Sequence, residues 1–207
     1  MPEAGLKVDD LCVARGGRPV LSGLGFALGP GEALEVRGPN GAGKSSLLMA
    51  LAGLIAPEKG TIGWSGGGEA GESRALLHYL GHRAAVKPGL TLRENLTFWA
   101  DALRGARDGV MPALAAAGLA AIADLDAGVL SAGQARRLAL ARLLAIRRPV
   151  WLLDEPTAAL DKDGAGWAGT LVAAHLAGGG MAVIATHLDI AYGSGVSPRR
   201  LDLEGGA

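Results

Sequence analysis

Apolar residues fall in blocks whose spacing changes along the chain. Two nearly continuous runs, VWLLDEP at 150–156 and MAVIATH at 181–187, end in polar residues. Runs this short, without a polar alternate, predict strands buried on both faces of a parallel sheet. Residues 33–37 predict a further short strand ending at a glycine loop, and 76–80 another buried one. Residues 6–33 predict short strands broken at Gly16-Gly17 and Gly29-Pro30-Gly31; 60–64 predict an edge strand, and 66–71 a flexible tip. Helical spacing runs through 45–54, 92–104, 110–123 and 134–146. Strands alternating with helices predict an α/β fold with a mostly parallel sheet. The consecutive helices between about 87 and 148 predict a helical lobe inserted into one domain, with 1–86 and 149–207 forming the core lobe.

Composition narrows this picture. A length of 207 residues suits one domain, and 49% hydrophobic with only 4% aromatic residues demands an aliphatic core. Lys plus Arg and Asp plus Glu each number 20, and no basic tail is present, so no nucleic-acid partner is expected. The single cysteine, Cys12, excludes an internal disulfide and a cysteine metal cage, and reads as a small buried hydrophobe. MPEAGLKVDD at the start holds three acids and no apolar run, unlike a secretory signal. The longest apolar stretches, 47–56 and 110–123 (the latter with Pro112), fall short of the roughly 18–20 residues that span a bilayer. Any membrane role is expected to come through a partner.

The chemistry begins with GPNGAGKS: Gly38, Pro39, Asn40, Gly41, Ala42, Gly43, Lys44 and Ser45 fit G-x-x-x-x-G-K-S/T. Glycines let the backbone wrap until successive amides point at phosphate oxygens, and the following helix adds its positive end. Lys44 then reaches the β and γ phosphates, and the Ser45 hydroxyl ligates Mg2+. In the 150–156 run a buried strand stops at Asp154 and Glu155. Two carboxylates at a buried strand end need a compensating cation. Magnesium held by Asp154 answers that need, leaving Glu155 to polarise an attacking water. His187 closes the other apolar strand, where a parallel sheet places its ligands, and is positioned to contact the γ phosphate and orient Glu155 or the water.

A second anion seat stands at LSAGQ, where Ser131 precedes a helical run and reads equally well as an ordinary N-cap. The three elements, in this order with LSAGQ between them, resemble the ATP-binding subunits of ABC transporters over nearly the whole chain. LSAGQ corresponds to the signature usually written LSGGQ, with Ala132 replacing a glycine, and TAALD at 157–161 resembles the loop that ends in Asp161. The resemblance implies a P-loop ATPase fold with an N-terminal antiparallel β subdomain and an inserted helical subdomain. It implies a head-to-tail homodimer in which Ser131, Ala132, Gly133 and Gln134 of one copy cover the ATP in the other's cradle. Ser46 and Asp161 join the nucleotide-binding set on the same ground.

Two positions depart from the family pattern. A glutamine usually stands eight residues before the LT of LTxxENL; here that place is His82, which the resemblance assigns to magnesium or water, with Arg83 beside it as an alternative contact to the membrane partner. An aromatic adenine platform usually stands 29 residues before the cradle lysine; here it is Arg15, whose guanidinium plane can stack on a base. These departures, with YLGHR, WLLDEPTAALD and HLAGGGMAVIATH, are similar to the subgroup that serves the cytochrome c maturation (haem) exporter. That implies an ATPase on the cytoplasmic face of the bacterial inner membrane, driving an integral membrane subunit and handling haem only indirectly. Nothing in the chain reads as a haem site: His78, His82, His175 and His187 lack an attachment motif. An ATPase for another exported substrate, a soluble ABC-type ATPase acting on DNA or ribosomes, and a small-molecule P-loop kinase are the other readings of these motifs.

Overall fold

The computed structural model describes residues 5–65 and 73–204. The expected flexible tip at 66–71 lies outside them. Two long strands, β1 (Gly5–Arg15) and β2 (Arg18–Leu28), pair antiparallel through the Gly16-Gly17 turn, and β4 (Lys59–Ser65) pairs antiparallel with the other edge of β1. The sequence pattern suggests shorter pieces here, because Gly23 and Gly25 interrupt the apolar alternation. The ladder absorbs them through register shifts. Cys12, expected buried, is half-buried; its Sγ accepts from the Gly23 amide at 3.3 Å.

The second sheet is parallel throughout, in the order β5 (Leu77–Leu80), β6 (Val150–Asp154), β7 (Met181–Ala185), β3 (Ala33–Arg37), β8 (Arg199–Asp202). Every residue of β6 and β7 is buried. Their side chains divide by the two-residue strand period. Val150, Leu152, Met181 and Val183 join one core with α1 (Lys44–Leu51) and the antiparallel sheet. Trp151, Leu153, Ala182 and Ile184 join another with α5 (Lys162–Ala177). Continuous apolar sequence is the signature of a strand covered on both sides.

Helices α2 (Leu92–Ala102), α3 (Val110–Ala116) and α4 (Ala132–Ala145) gather round a third core. α4 serves two of these cores: Leu138, Ala141 and Ala145 face α2 and α3, while Ala139, Leu140 and Leu143 face the sheet. Its buried residues therefore lie on more than one face, and they include Arg136 and Arg142. α2 opens on a capping box, with the Thr91 hydroxyl accepting from the Glu94 amide and the Glu94 carboxylate accepting from the Thr91 amide. The helix expected over 110–123 ends instead at Ala116. Gly118 turns left-handed at φ +72 and the chain resumes as a 3-10 turn at Ala120–Ile122.

Candidate functional site

Because β5, β6, β7 and β3 are parallel, their carboxyl ends share one edge. Ala185 pairs with Asp154 on one side and Val36 on the other, and Leu80 pairs with Leu153. The residues just past these positions are therefore neighbours: the Gly38 loop, Glu155, His187 and His82. The Glu155 amide donates to Ala185 O at 2.8 Å, and the Thr186 amide to Val36 O at 3.2 Å, carrying the register past the strand ends.

The loop from Gly38 to Gly43 leads straight into α1, which packs on β6 and β7. Gly43 caps that helix at φ +98, and a Cβ there would fall 2.6 Å from Leu21 Cδ2. Only glycine meets both demands. Buried Lys44 turns its ammonium back over the loop, donating to Gly38 O at 2.7 Å and Pro39 O at 3.0 Å. Those carbonyls hold the cation where a phosphate oxygen would take it over. Pro39, Asn40, Gly41 and Ser45 are exposed along the same loop and first turn, with Ala42 buried beneath and Ser46 half-buried.

Asp154 is 3% exposed, and among the described residues its carboxylate has no hydrogen bond or ion pair. Glu155 is also buried. Its Oε1 lies 2.8 Å from His187 Nδ1, while Oε2 is buried without a partner. Unpaired buried carboxylate oxygens are costly unless something absent from the protein itself completes them. Oxygen donors from Asp154 and the Ser45 hydroxyl suit magnesium, which keeps waters and phosphate oxygens in its shell. The described residues contain no cluster of three His, Cys, Asp or Glu that would cage a metal by themselves. Glu155 sits at φ +48, a left-handed conformation costing about 1–3 kcal/mol for a bulky side chain, of the kind that collects at functional sites.

The LSAGQ turn lies elsewhere. Ser131 caps α4 in a second capping box: its hydroxyl accepts from the Gln134 amide at 3.2 Å, and Gln134 Oε1 accepts from the Ser131 amide at 3.0 Å. The helix starts at Ala132, two residues before the expected 134. Ser131, Ala132 and Gln134 are exposed, and no hydrogen bond among the described residues joins them to the cradle. Gly133 approaches the 157–161 turn so closely that a Cβ would stand 2.9 Å from Ala159 O. Asp161 ends that turn and caps α5, accepting from the Gly164 amide at 2.8 Å; this bond holds its carboxyl below the usual carboxylate range. Arg137 on α4 also donates to the same oxygen, Nη2 to Oδ1 at 3.4 Å.

His82 is exposed just past β5, and its ring has no partner among the described residues. Arg15, at the end of β1, is exposed, with a long contact from Nη1 to Met49 Sδ at 3.8 Å. The sequence reading missed two groups. Arg136, 4% exposed on α4, donates to Gly81 O at 3.2 Å and His82 O at 2.8 Å. The sequence signal is arginine spaced among Leu and Ala, at Arg136, Arg137 and Arg142, of which Arg136 and Arg142 are buried. Arg37, immediately before the loop, donates to Glu35 at 2.7 and 2.9 Å and to Asp189 at 3.2 Å, while the Tyr192 hydroxyl donates to Glu35 Oε1 at 2.7 Å. These bonds tie the segment after His187 to β3.

The geometry can be set beside known proteins. A family model described as ABC transporter matches residues 21–158. The cytochrome c biogenesis ATP-binding export protein CcmA of Nitrobacter winogradskyi is 52% identical over 196 residues, covering 95% of this chain and 96% of that protein. The protein of the same name from Bradyrhizobium diazoefficiens is 50% identical, covering 94% and 95%. A dimeric ATP-binding cassette in a post-hydrolysis state, bound to ADP and Pi, superposes with a TM-score of 0.76 at 26% identity over 88% of each chain. Likeness that runs through the loop, the acidic strand end and the signature turn alike is kinship: the chain belongs to the ABC transporter family.

Proposed function

We propose that the chain hydrolyses ATP, with Mg2+, at a site completed by a second copy of itself, and that this reaction drives an integral membrane subunit in cytochrome c biogenesis, by haem export or release of a haem-loaded chaperone. The observation that carries the reading is the single sheet edge that gathers Lys44, Asp154, Glu155 and His187 while the Ser131 turn packs elsewhere. Relatives named for cytochrome c biogenesis export, at about half identity over nearly the full chain, support the pathway.

The loop amides from Gly41 to Ser46 and the Lys44 ammonium bind the phosphates, and Arg15 stacks on the adenine. Ser45 and Asp154, with His82 nearby, hold magnesium, which supplies charge neutralisation on the phosphates. Glu155 takes a proton as the water oxygen bonds to the γ phosphorus and the bond to the bridging oxygen breaks; ADP leaves with that electron pair. His187 keeps Glu155 oriented. Ser131, Ala132, Gly133 and Gln134 address the γ phosphate of the partner copy, and Asp161 shapes the turn between the two sites. A nucleotide bound this way closes the dimer, and loss of the γ phosphate opens it.

The chain works at the cytoplasmic face of the bacterial inner membrane through its partner; among the described residues no helix is long and apolar enough to cross a membrane. Purification from detergent-solubilised membranes tests the proposal. The assembly should contain an integral membrane protein, carry haem on associated proteins, and release phosphate from ATP. An assembly without a membrane protein, or phosphate passed to a metabolite, overturns it.

A further inference from the structure

After β5 ends at Leu80, the backbone leaves the sheet toward His82, and its carbonyls lose their ladder partners. They are met from α4. Arg136 donates to Gly81 O and His82 O, and Arg142 donates to Tyr79 O at 2.8 Å. Beyond the helix, Arg148 donates to Ala75 O. From α4 the two arginines thus hold one carbonyl of β5, at Tyr79, and the two that follow the strand, at Gly81 and His82.

Arg136 differs from Arg142 in what it faces. Both are 4% exposed on α4, and each buried guanidinium is retained against a large solvation cost. Among the described residues no carboxylate lies within ion-pair distance of Arg136. Burial lowers its basicity, and the fields of Asp154 and Glu155 oppose that fall, so the guanidinium also faces the acidic strand end. Its helix begins five residues earlier at the Ser131 turn. Backbone hydrogen bonds alone do not require this: water reaches exposed His82, and a shorter polar side chain would satisfy one carbonyl.

We propose that Arg136 is a positioning residue for ATP hydrolysis: it fixes the His82 loop to the helix that carries Ser131, so that the chain's own nucleotide site and the seat it lends to a partner's nucleotide move as one body. This rests on the shared-site reading above.

Hydrogen–deuterium exchange in the full chain, with and without ATP and magnesium, tests it. In the unaltered chain, ATP should slow exchange in both the 81–86 and the 131–136 segments. In Arg136→Met, exchange at 81–86 should rise about tenfold without nucleotide, while 138–145 changes less than about threefold, because the lost bonds are local. ATP should then protect 131–136 without protecting 81–86. The dissociation constant for a fluorescent ATP analogue should stay within about threefold while turnover falls about tenfold, the split expected when positioning rather than binding is lost. Arg136→Lys, which keeps the charge but can meet only one carbonyl well, should be intermediate in exchange and turnover; it decides the matter if the methionine variant does not fold. Identical responses of the two segments in the unaltered chain and a folded variant overturn the positioning role alone. No response to ATP at 131–136 in the unaltered chain overturns the shared-site reading, and the positioning role falls with it.

Discussion

His187 Nδ1 stands 2.8 Å from Glu155 Oε1, across the edge where β7 and β6 end. An ionised Glu155 can only accept, so Nδ1 carries the proton and Nε2 is left for substrate or solvent. The imidazole is the more exposed partner, at 57% against 11% for the carboxylate side chain. The pair thus presents a histidine to the solvent side and an anchored acid beneath it. Oε2 is the oxygen left without a partner among the described residues.

Glu155→Gln should keep this architecture, since an amide oxygen still accepts from Nδ1, while removing the basic oxygen. ATP should bind with near-normal affinity, and phosphate release should fall about 10²-fold or more. A closed dimer should accumulate with ATP, visible by size-exclusion chromatography with light scattering. Near-normal turnover removes Glu155 from the role of base.

Lys44→Ala tests the cradle. The ammonium bridges two loop carbonyls, Gly38 O and Pro39 O, so its loss costs the loop two charge-assisted hydrogen bonds as well as the proposed phosphate ligand. Affinity for a fluorescent ATP analogue should drop at least about tenfold, or turnover should vanish with binding retained. If titration and phosphate release both match the unaltered chain, the cradle is misassigned.

Much of this site is legible in the residue order because its determinants are local or periodic. β6 and β7 announce themselves as short apolar runs, and the glycine spacing before Lys44 encodes a loop geometry. What escapes depends on contacts distant in sequence. α5 is absent from the periodicity reading because Gly164, Gly166 and Gly169 lower its helix propensity. Gly169 is there because α5 approaches the 190–191 backbone so closely that a Cβ would meet Ala191 O. β8 is polar and mostly exposed, an edge strand defined only by its pairing with β3. The helix expected over 110–123 overruns Ala116 because Gly118 reads as one more small residue in an alanine-rich stretch until its φ is known. Arg136 sits two residues past LSAGQ, whose own residues draw attention, and its partners lie more than 50 positions away.

Acid should destabilise the fold through His78. Its Nε2–H donates to Ile146 O at 2.6 Å inside the protein, and burial pushes its pKa down from 6.5 to about 3. Above pH 6.5 neither the folded nor the unfolded state protonates it, and its contribution is intact. As pH falls from 6.5 toward 3, the unfolded state takes up a proton that the folded state refuses, so stability falls by up to about 1.4 kcal/mol per pH unit. Burial lowers the pKa of His175, stacked on Trp151 at 3.9 Å, which acts in the same direction. Urea unfolding at about pH 7.5 and about pH 5.5 measures the loss before most carboxylates titrate. His78→Gln keeps a donor to Ile146 O without the titration and should shrink the difference; an unchanged difference places the acid sensitivity elsewhere.

The sharing of sites makes the sharpest prediction. The Ser131 hydroxyl caps α4 and the turn is exposed, so Ser131→Arg introduces bulk and charge where a second copy would bring its nucleotide. Loss of the cap alone costs about 1 kcal/mol, which should lower thermal stability by a few degrees and leave the chain's own ATP affinity nearly unaltered. Dimer formation with ATP should fail and turnover should collapse. Neither Ser131→Arg nor Lys44→Ala alone should support hydrolysis, but their damage lies on different surfaces. In a mixed dimer one composite site combines both lesions, and the other combines an intact cradle from the Ser131→Arg chain with an intact turn from the Lys44→Ala chain. Mixing the two should therefore restore activity, up to about one working site in each mixed dimer, since a site needs one cradle and one turn. Light scattering on differently tagged copies establishes that mixed dimers exist. If they form and remain inactive, each chain does not lend its Ser131 turn to its neighbour's nucleotide.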